Sequence, residues 1–301
     1  MARAKRHYIP NQIWHITQRC HKREFLLKFK HDGHRWIQWL FEAKRRFGLV
    51  VLNYVVTSNH IHLLLKDDSD HRTIPPAMGL IAGRTAQQYN QRKKRKGAFW
   101  QDRYHATAID TGEHLLRCLV YIDLNMVRAG MVDHPSNWPH GGYNEIQAPR
   151  RKNIIIAYER LRQLAGFEDY ESFVSAHRKW VQAALEEIDA KRESRWTESI
   201  AVGGRPFIKH IKKAMGAMAK GRCLQPGEGA FELREAQSAY SAIFDQENRR
   251  IKFSKKRLVN GGRIVIHRRC FQATLKRLCI RNVTVEVNQQ LEMICFHYFR
   301  N

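Results

Sequence analysis

The chain has 301 residues, with 53 Lys plus Arg against 28 Asp plus Glu and a formal charge of +25. That length can bury the core of one large or two small domains, and that charge names nucleic acid as the expected partner, with an anionic membrane surface as the alternative. Against the membrane, no apolar run approaches the roughly 20 residues of a spanning helix, Met1 to His7 is basic without an apolar signal region, and the six cysteines make no C-x-x-C or zinc spacing, as in a reduced cytosolic protein.

In chain order, residues 2–7 form a basic arm. Ile13 to Gln18 alternates as a first strand, with Trp14 and Ile16 on one face and His15 and Thr17 on the other. Gly33 to Phe47 reads as an amphipathic helix with Trp36, Ile37, Leu40, Phe41 and Phe47 inward and Gly48 as its C-cap. Leu49–Thr57 and His60–Lys66 read as strands joined tightly by Ser58-Asn59, hence a hairpin. Pro75 and Pro76 open a helix expected to reach about Lys94. The unbroken run Arg92-Lys93-Lys94-Arg95-Lys96 overlaps its end, either as a solvated helix end or as a ridge for a phosphate backbone. Tyr104 to Asp110 suggests a last strand. Trp100 and Arg103 lie just before it, as a base-stacking ring or core residue and a phosphate contact.

Two stretches carry the chemistry. A strand alternates its side chains, so His60 and His62 share a face while Ile61 points to the core. Two imidazoles on one face of a strand make a chelating pair for a divalent ion, although an H-x-H triplet alone also describes solvent-facing histidines. About sixty residues on, Glu113 to Gly130 reads as a helix with Asp110 or Thr111 as N-cap. With Tyr121 at zero on a wheel of about 100° per residue, His114, Arg117, Asn125 and Arg128 fall within roughly 40° of it. Leu115, Leu116, Leu119, Val120, Ile122, Met126 and Val127 fill the apolar side, so Tyr121 is expected away from the core leucines. A tyrosine hydroxyl can attack a phosphodiester and keep the product as a phosphotyrosine, provided a metal or arginines neutralise the phosphate oxygens. Two imidazoles with an Asn oxygen suit Mn²⁺ better than Mg²⁺, though either can serve. Asp123 falls on the apolar side and needs a buried hydrogen-bonding partner. Tyr104 is the rival nucleophile, without an Asn four residues on.

These residues resemble the single-tyrosine HUH transposases of the insertion sequence 200 type: His60-Ile61-His62 followed by Tyr121-x-x-x-Asn125. The run Tyr121 to Gly130, then Trp138-Pro139, with Ile13-Trp14-His15-Ile16-Thr17-Gln18-Arg19 and Phe99 to Tyr104, is similar to the REP-associated tyrosine transposases in particular. Cys20-His21 departs from the Gly-Asn common after the first-strand motif. The resemblance covers roughly residues 6–145 and weakens towards 220.

The order strand, helix, strand, strand, helix, strand, helix predicts an α+β, ferredoxin-like sandwich, with an antiparallel sheet that places the H-x-H strand centrally and the tyrosine helix across it. The expected division is 1–148 for the catalytic domain, 149–254 for a mainly helical basic extension and 255–301 for a small basic tail. In the extension, Ile154–Leu164, Tyr170–Lys191 and Phe207–Lys220 read as helices, with a break at Gly203-Gly204-Arg205-Pro206. In the tail, Ile264–Ile266 and Val283–Val287 read as strands around a helix from Phe271 to Leu278.

The resemblance implies a metal-dependent single-strand DNA endonuclease and strand transferase acting on hairpin-forming repeats. Tyr121 would be the nucleophile, His60, His62 and Asn125 the metal ligands (Mg or Mn), and Arg117, Arg128 and His114 the phosphate contacts. The protein would be cytoplasmic at the bacterial nucleoid, a monomer or homodimer. The alternative is a nucleic-acid-binding regulator that keeps the fold and no longer cleaves. A replication initiator or relaxase would be expected to show a third clustered histidine or a second tyrosine nearby.

Overall fold

The structure, a computed structural model, describes residues 9–68, 73–187, 193–227 and 229–235. The basic arm, the last residues expected in the Tyr170 helix and the tail from 255 onward lie outside the described residues.

The first half runs β1 (Ile13–Arg19), α1 (Lys30–Phe47), β2 (Val50–Val56), β3 (His60–Lys66), α2 (Ile74–Arg92) and β4 (His105–Ile109). These strands pair antiparallel in the order β2-β3-β1-β4. That is the split β-α-β pattern of the ferredoxin-like sandwich, with the H-x-H strand inside the sheet. Ile61, Leu63, Leu64 and Leu65 are fully buried and His62 is nearly so, so both faces of β3 are covered. Gly48 takes φ 69° at the end of α1, the left-handed cap its missing Cβ permits. Between Val51 and Asn53 the register of β2 slips by one residue. The bulge turns Asn53 onto the face of Leu64 and Val55 onto that of His62.

The tyrosine helix is α3 (Glu113–Asp123), which passes through Leu124 at φ −80°, ψ 3° into one turn of α4 (Asn125–Arg128). Its N-cap is Gly112 at φ 64°, rather than Asp110 or Thr111. Asp110 is otherwise engaged: Oδ1 accepts from the Thr111 amide and Oδ2 from the Gly204 amide, 94 residues along the chain.

Beyond these come α5 (Tyr143–Gln147), α6 (Tyr158–Ala165), α7 (Tyr170–Glu186), α8 (Arg195–Glu198), β5 (Ala201–Gly203), α9 (Arg205–Ala214), β6 (Arg222–Gly227) and β7 (Ala230–Glu235). The helix expected from Ile154 begins four residues later. The amides of Ile155 and Ile156 are both taken by the buried Glu145 carboxylate at 2.7 Å, and Ile156 lies extended beside Val51. The helix expected over Phe207–Lys220 is shorter and gives way to a 3-10 turn at Gly216, where φ is 55°. Three strands are additional. β5 joins β4 in parallel, and β7 and β6 extend the sheet to β2-β3-β1-β4-β5-β7-β6. One apolar cluster joins Ile16, Ile61 and Leu119 to Trp196, Val202 and Leu233. Among the described residues, no helix is long and apolar enough to cross a membrane.

Candidate active site

Five elements meet at the site. β3 supplies His60 and His62, and β1 supplies His15, Thr17 and Arg19, which by register lie opposite Leu64, His62 and His60. α3 and α4 supply Tyr121, Asn125 and Arg128, and α8 supplies Trp196. The His60 and His62 rings are 4.9 Å apart, and the Tyr121 ring lies 5.7 Å from that of His62. Asn125 Nδ2 is 3.1 Å from His62 Nε2. The wheel thus places Tyr121 and Asn125 correctly on one side of the helix, and both reach the same imidazole.

Each histidine is oriented through its other nitrogen. His60 Nδ1 is 2.6 Å from Asn59 Oδ1 and 2.9 Å from Thr57 Oγ1. Thr57 gives its hydroxyl proton to the His60 carbonyl, and Asn59 gives its amide protons to the Arg23 carbonyl. Both oxygens therefore accept, and His60 Nδ1 carries the proton. His62 Nδ1 is 2.9 Å from His15 Nε2, in rings whose planes are only 10° from parallel. His15 Nδ1 in turn is 2.8 Å from the Trp196 carbonyl oxygen. His15 is completely enclosed, and burial pulls its pKa down to about 3, so it is neutral at ordinary pH.

Tyr121 is only 4% exposed. Against the expectation, it belongs to the same buried apolar cluster as Leu115 and Leu119 and does not face solvent. Its ring lies 6.1 Å from His15 and 5.9 Å from Trp196, with the Arg128 guanidinium 4.3 Å over its centre. Arg128 also donates to the Tyr121 carbonyl. Burial lowers the pKa of Arg128, while Tyr121, Glu193 and Asp123 act in the opposite direction.

Other expected contacts are placed elsewhere. Arg117 pairs with Glu113 at 2.5 Å on the exposed side of α3. His114 is half-buried, and its Nδ1 has no hydrogen-bond partner. Asp123 is buried between Asn53 Nδ2 (2.9 Å) and His177 Nε2 (2.8 Å), the structural pairing its place on the apolar side required. The basic run divides in two: Arg92 pairs with Asp32 and Arg95 with Glu24, whereas Lys93, Lys94 and Lys96 are exposed. Trp100 is half-buried and donates its indole N–H to the Ala82 carbonyl. The loop carrying Trp100 and the exposed Arg103 belongs to the H-x-H end of the sheet, since Gln101 donates to Arg19, the residue opposite His60.

Sequence reasoning did not count His15, Arg19 or Trp196 among the site residues. The first two had a signal, because alternation already put His15 and Thr17 on one face of β1 and continues to Arg19. Trp196 had none. Among the described residues, no group of three or more His, Cys, Asp and Glu side chains is arranged to hold a metal. The donors that do converge are two imidazoles and one amide, a set open enough for a hard or borderline divalent ion.

Residues 8–125 match the profile of the family described as "Transposase IS200 like". No curated protein sequence matches the chain. Among solved structures, the chain is similar to one described as the REP-associated tyrosine transposase bound to a REP hairpin. There the identity is 22% and the TM-score 0.42, over 50% of this chain and 87% of that one. It is also similar to a putative transposase from Deinococcus radiodurans R1, at 18% identity and a TM-score of 0.30, over 43% of this chain and 98% of that one. Over residues 8–125, the chain is similar to the IS200-like transposase family.

Proposed function

We propose that the protein is a metal-dependent endonuclease and strand transferase of single-stranded DNA, with Tyr121 as nucleophile and hairpin-forming repeats as substrate, of the REP-associated type. The observation that carries this reading is the convergence of Tyr121 and Asn125 on His62. The two residues are four apart on a helix, and the imidazole is held in register by a separate strand. His60 and His62 would hold a divalent ion through Nε2. Asn125 would join them once its amide turns to present Oδ1 instead of Nδ2. When bound, the ion supplies positive charge to the scissile phosphate.

The protein residues do the rest. Tyr121 Oη forms a bond to phosphorus as the bond from phosphorus to the 3′-oxygen breaks. The tyrosine proton is released and the 3′-oxygen takes one up, leaving a 5′-phosphotyrosine and a free 3′-hydroxyl. Rejoining reverses the same two bonds, so no water is required. Arg128 lies over the tyrosine ring and holds it in place. The large positive charge of the chain favours a polyanionic strand.

One observation favours the regulator that binds without cleaving: Tyr121 is almost fully covered. Incubation of wild-type and Tyr121→Phe protein with end-labelled hairpin DNA and Mn²⁺ or Mg²⁺ separates the two readings. We expect a covalent protein–DNA band on denaturing gels that requires metal and is absent from the variant, a loss of at least about 10⁴-fold in rate. Tight binding with no covalent product under either metal would rule out the nuclease and leave the regulator.

A further inference from the structure

We infer that His15 is a positioning residue that fixes the tautomer of His62, and that the backbone carbonyl of Trp196, in the segment after the transposase match, sets the direction of the relay. The metal-binding half of this inference rests on the function proposed above; the tautomers do not.

One line of hydrogen bonds joins the Trp196 carbonyl to His15 and His62. A carbonyl oxygen can only accept, so His15 Nδ1, 2.8 Å from the Trp196 oxygen, must carry the proton. The opposite arrangement would set a ring lone pair against a carbonyl lone pair. Thr107 does not compete for this oxygen: its hydroxyl is 3.4 Å from it and 2.7 Å from the Ser199 carbonyl, which takes the proton. A neutral imidazole with Nδ1 protonated has only a lone pair at Nε2. His15 Nε2 therefore accepts across the 2.9 Å contact, and His62 Nδ1 donates. His62 Nε2 is then the acceptor atom of its ring, consistent with Asn125 Nδ2 donating to it at 3.1 Å.

The Nδ1–H form is the less populated tautomer of free neutral imidazole. The enclosure of His15 and the direction of the Trp196 carbonyl keep His62 in it. The other H-x-H residue reaches the same state by purely local means, through Thr57 and Asn59. Both rings thus offer Nε2 as the donor atom, but only His62 depends on a residue 47 positions away in sequence and a carbonyl 181 positions from His15. Partners of this kind orient ligating histidines and raise their basicity, and their loss typically costs metal affinity about 10–100-fold.

The test uses the full chain labelled with ¹⁵N-histidine, without metal, at neutral pH. Two-bond ¹H–¹⁵N correlations read each tautomer directly, assigned with His15 and His62 variants. We expect His15 and His62 both protonated at Nδ1. His15→Phe should release His62 towards the Nε2–H form and weaken Mn²⁺ binding, followed by titration, about 10–100-fold. His15→Gln, whose amide oxygen can stand in for Nε2 as acceptor, should restore most of both. Trp196→Phe keeps the carbonyl and should leave both tautomers unchanged. His62 protonated at Nε2 in the wild type would overturn the inference, whatever the protein does to DNA. So would unaltered Mn²⁺ affinity in a folded His15→Phe protein that still binds the ion. Both tautomers as expected, with no covalent DNA product, would uphold the relay and remove the nuclease reading.

Discussion

Helix α3 stands between two buried histidine networks that end differently. On one side, Asp123 accepts from Asn53 and is paired with His177, whose Nδ1 lies 2.9 Å from Gln147 Nε2. There every carboxylate oxygen is used and the chain of bonds closes on protein. On the other side, the line Trp196–His15–His62 runs from a fixed carbonyl to an imidazole nitrogen facing an amide that can turn. The first network closes on protein, whereas the second ends on the amide of Asn125, proposed above as a metal ligand.

Substitutions on the two sides of the helix should have the largest and most unequal effects. Asp123→Ala leaves the buried His177 without its acceptor and the Asn53 amide with only the Leu119 carbonyl. It should cost about 3–5 kcal/mol, the usual range for removing one partner of a buried pair. Asn125→Ala should cost about 1 kcal/mol or less in stability, yet weaken Mn²⁺ binding and strand cleavage. Urea unfolding alongside Mn²⁺ titration reads both quantities. Equal stability losses for the two variants would erase the distinction between a closed network and an open one.

Acid should break the open network through His15. Its pKa is lowered from 6.5 to about 3 by burial, so the unfolded chain binds the proton that the folded chain refuses. The contribution is fully present above pH 6.5 and is lost as pH falls towards 3. By pH 4 this amounts to at most about 3 kcal/mol. Melting temperature measured against pH should fall more steeply for the wild type than for His15→Gln over this interval. Parallel profiles would show that His15 is already solvated when it takes up the proton.

How much of this was legible in the sequence follows from the range of each interaction. Alternation in β3 put His60 and His62 on one face, and helical periodicity put Tyr121 with Asn125, because both patterns are local. The ferredoxin-like order followed from strands and helices long enough to show their period. The three added strands did not: β5 has three residues, and β6 ends in Pro226-Gly227. Burial of Tyr121 was missed because the wheel sees only its own helix, while the covering ring of Trp196 arrives from 75 residues further along the chain. The carbonyl that orients His15 is a main-chain group, so no residue type could have announced it.

The basic run offers the same contrast at lower energy. Arg92 and Arg95 already have carboxylate partners in Asp32 and Glu24, so they are held by the fold. Lys93, Lys94 and Lys96 are exposed, with Lys93 5.0 Å over the Phe29 ring. Each phosphate neutralised on a single strand adds about 0.7 to the slope of log binding constant against log salt. Replacing the three lysines by alanine should therefore flatten that slope by up to about 2. Melting temperature should stay unchanged, since exposed charges contribute little to stability. Replacing Arg92 and Arg95 should do the reverse, lowering stability with a smaller change in slope. Fluorescence anisotropy of labelled hairpin DNA across a salt series measures the first effect, and thermal melts measure the second. An unchanged slope in the triple-lysine variant would assign the run to the solvated end of α2 and move the DNA path to another face of the protein.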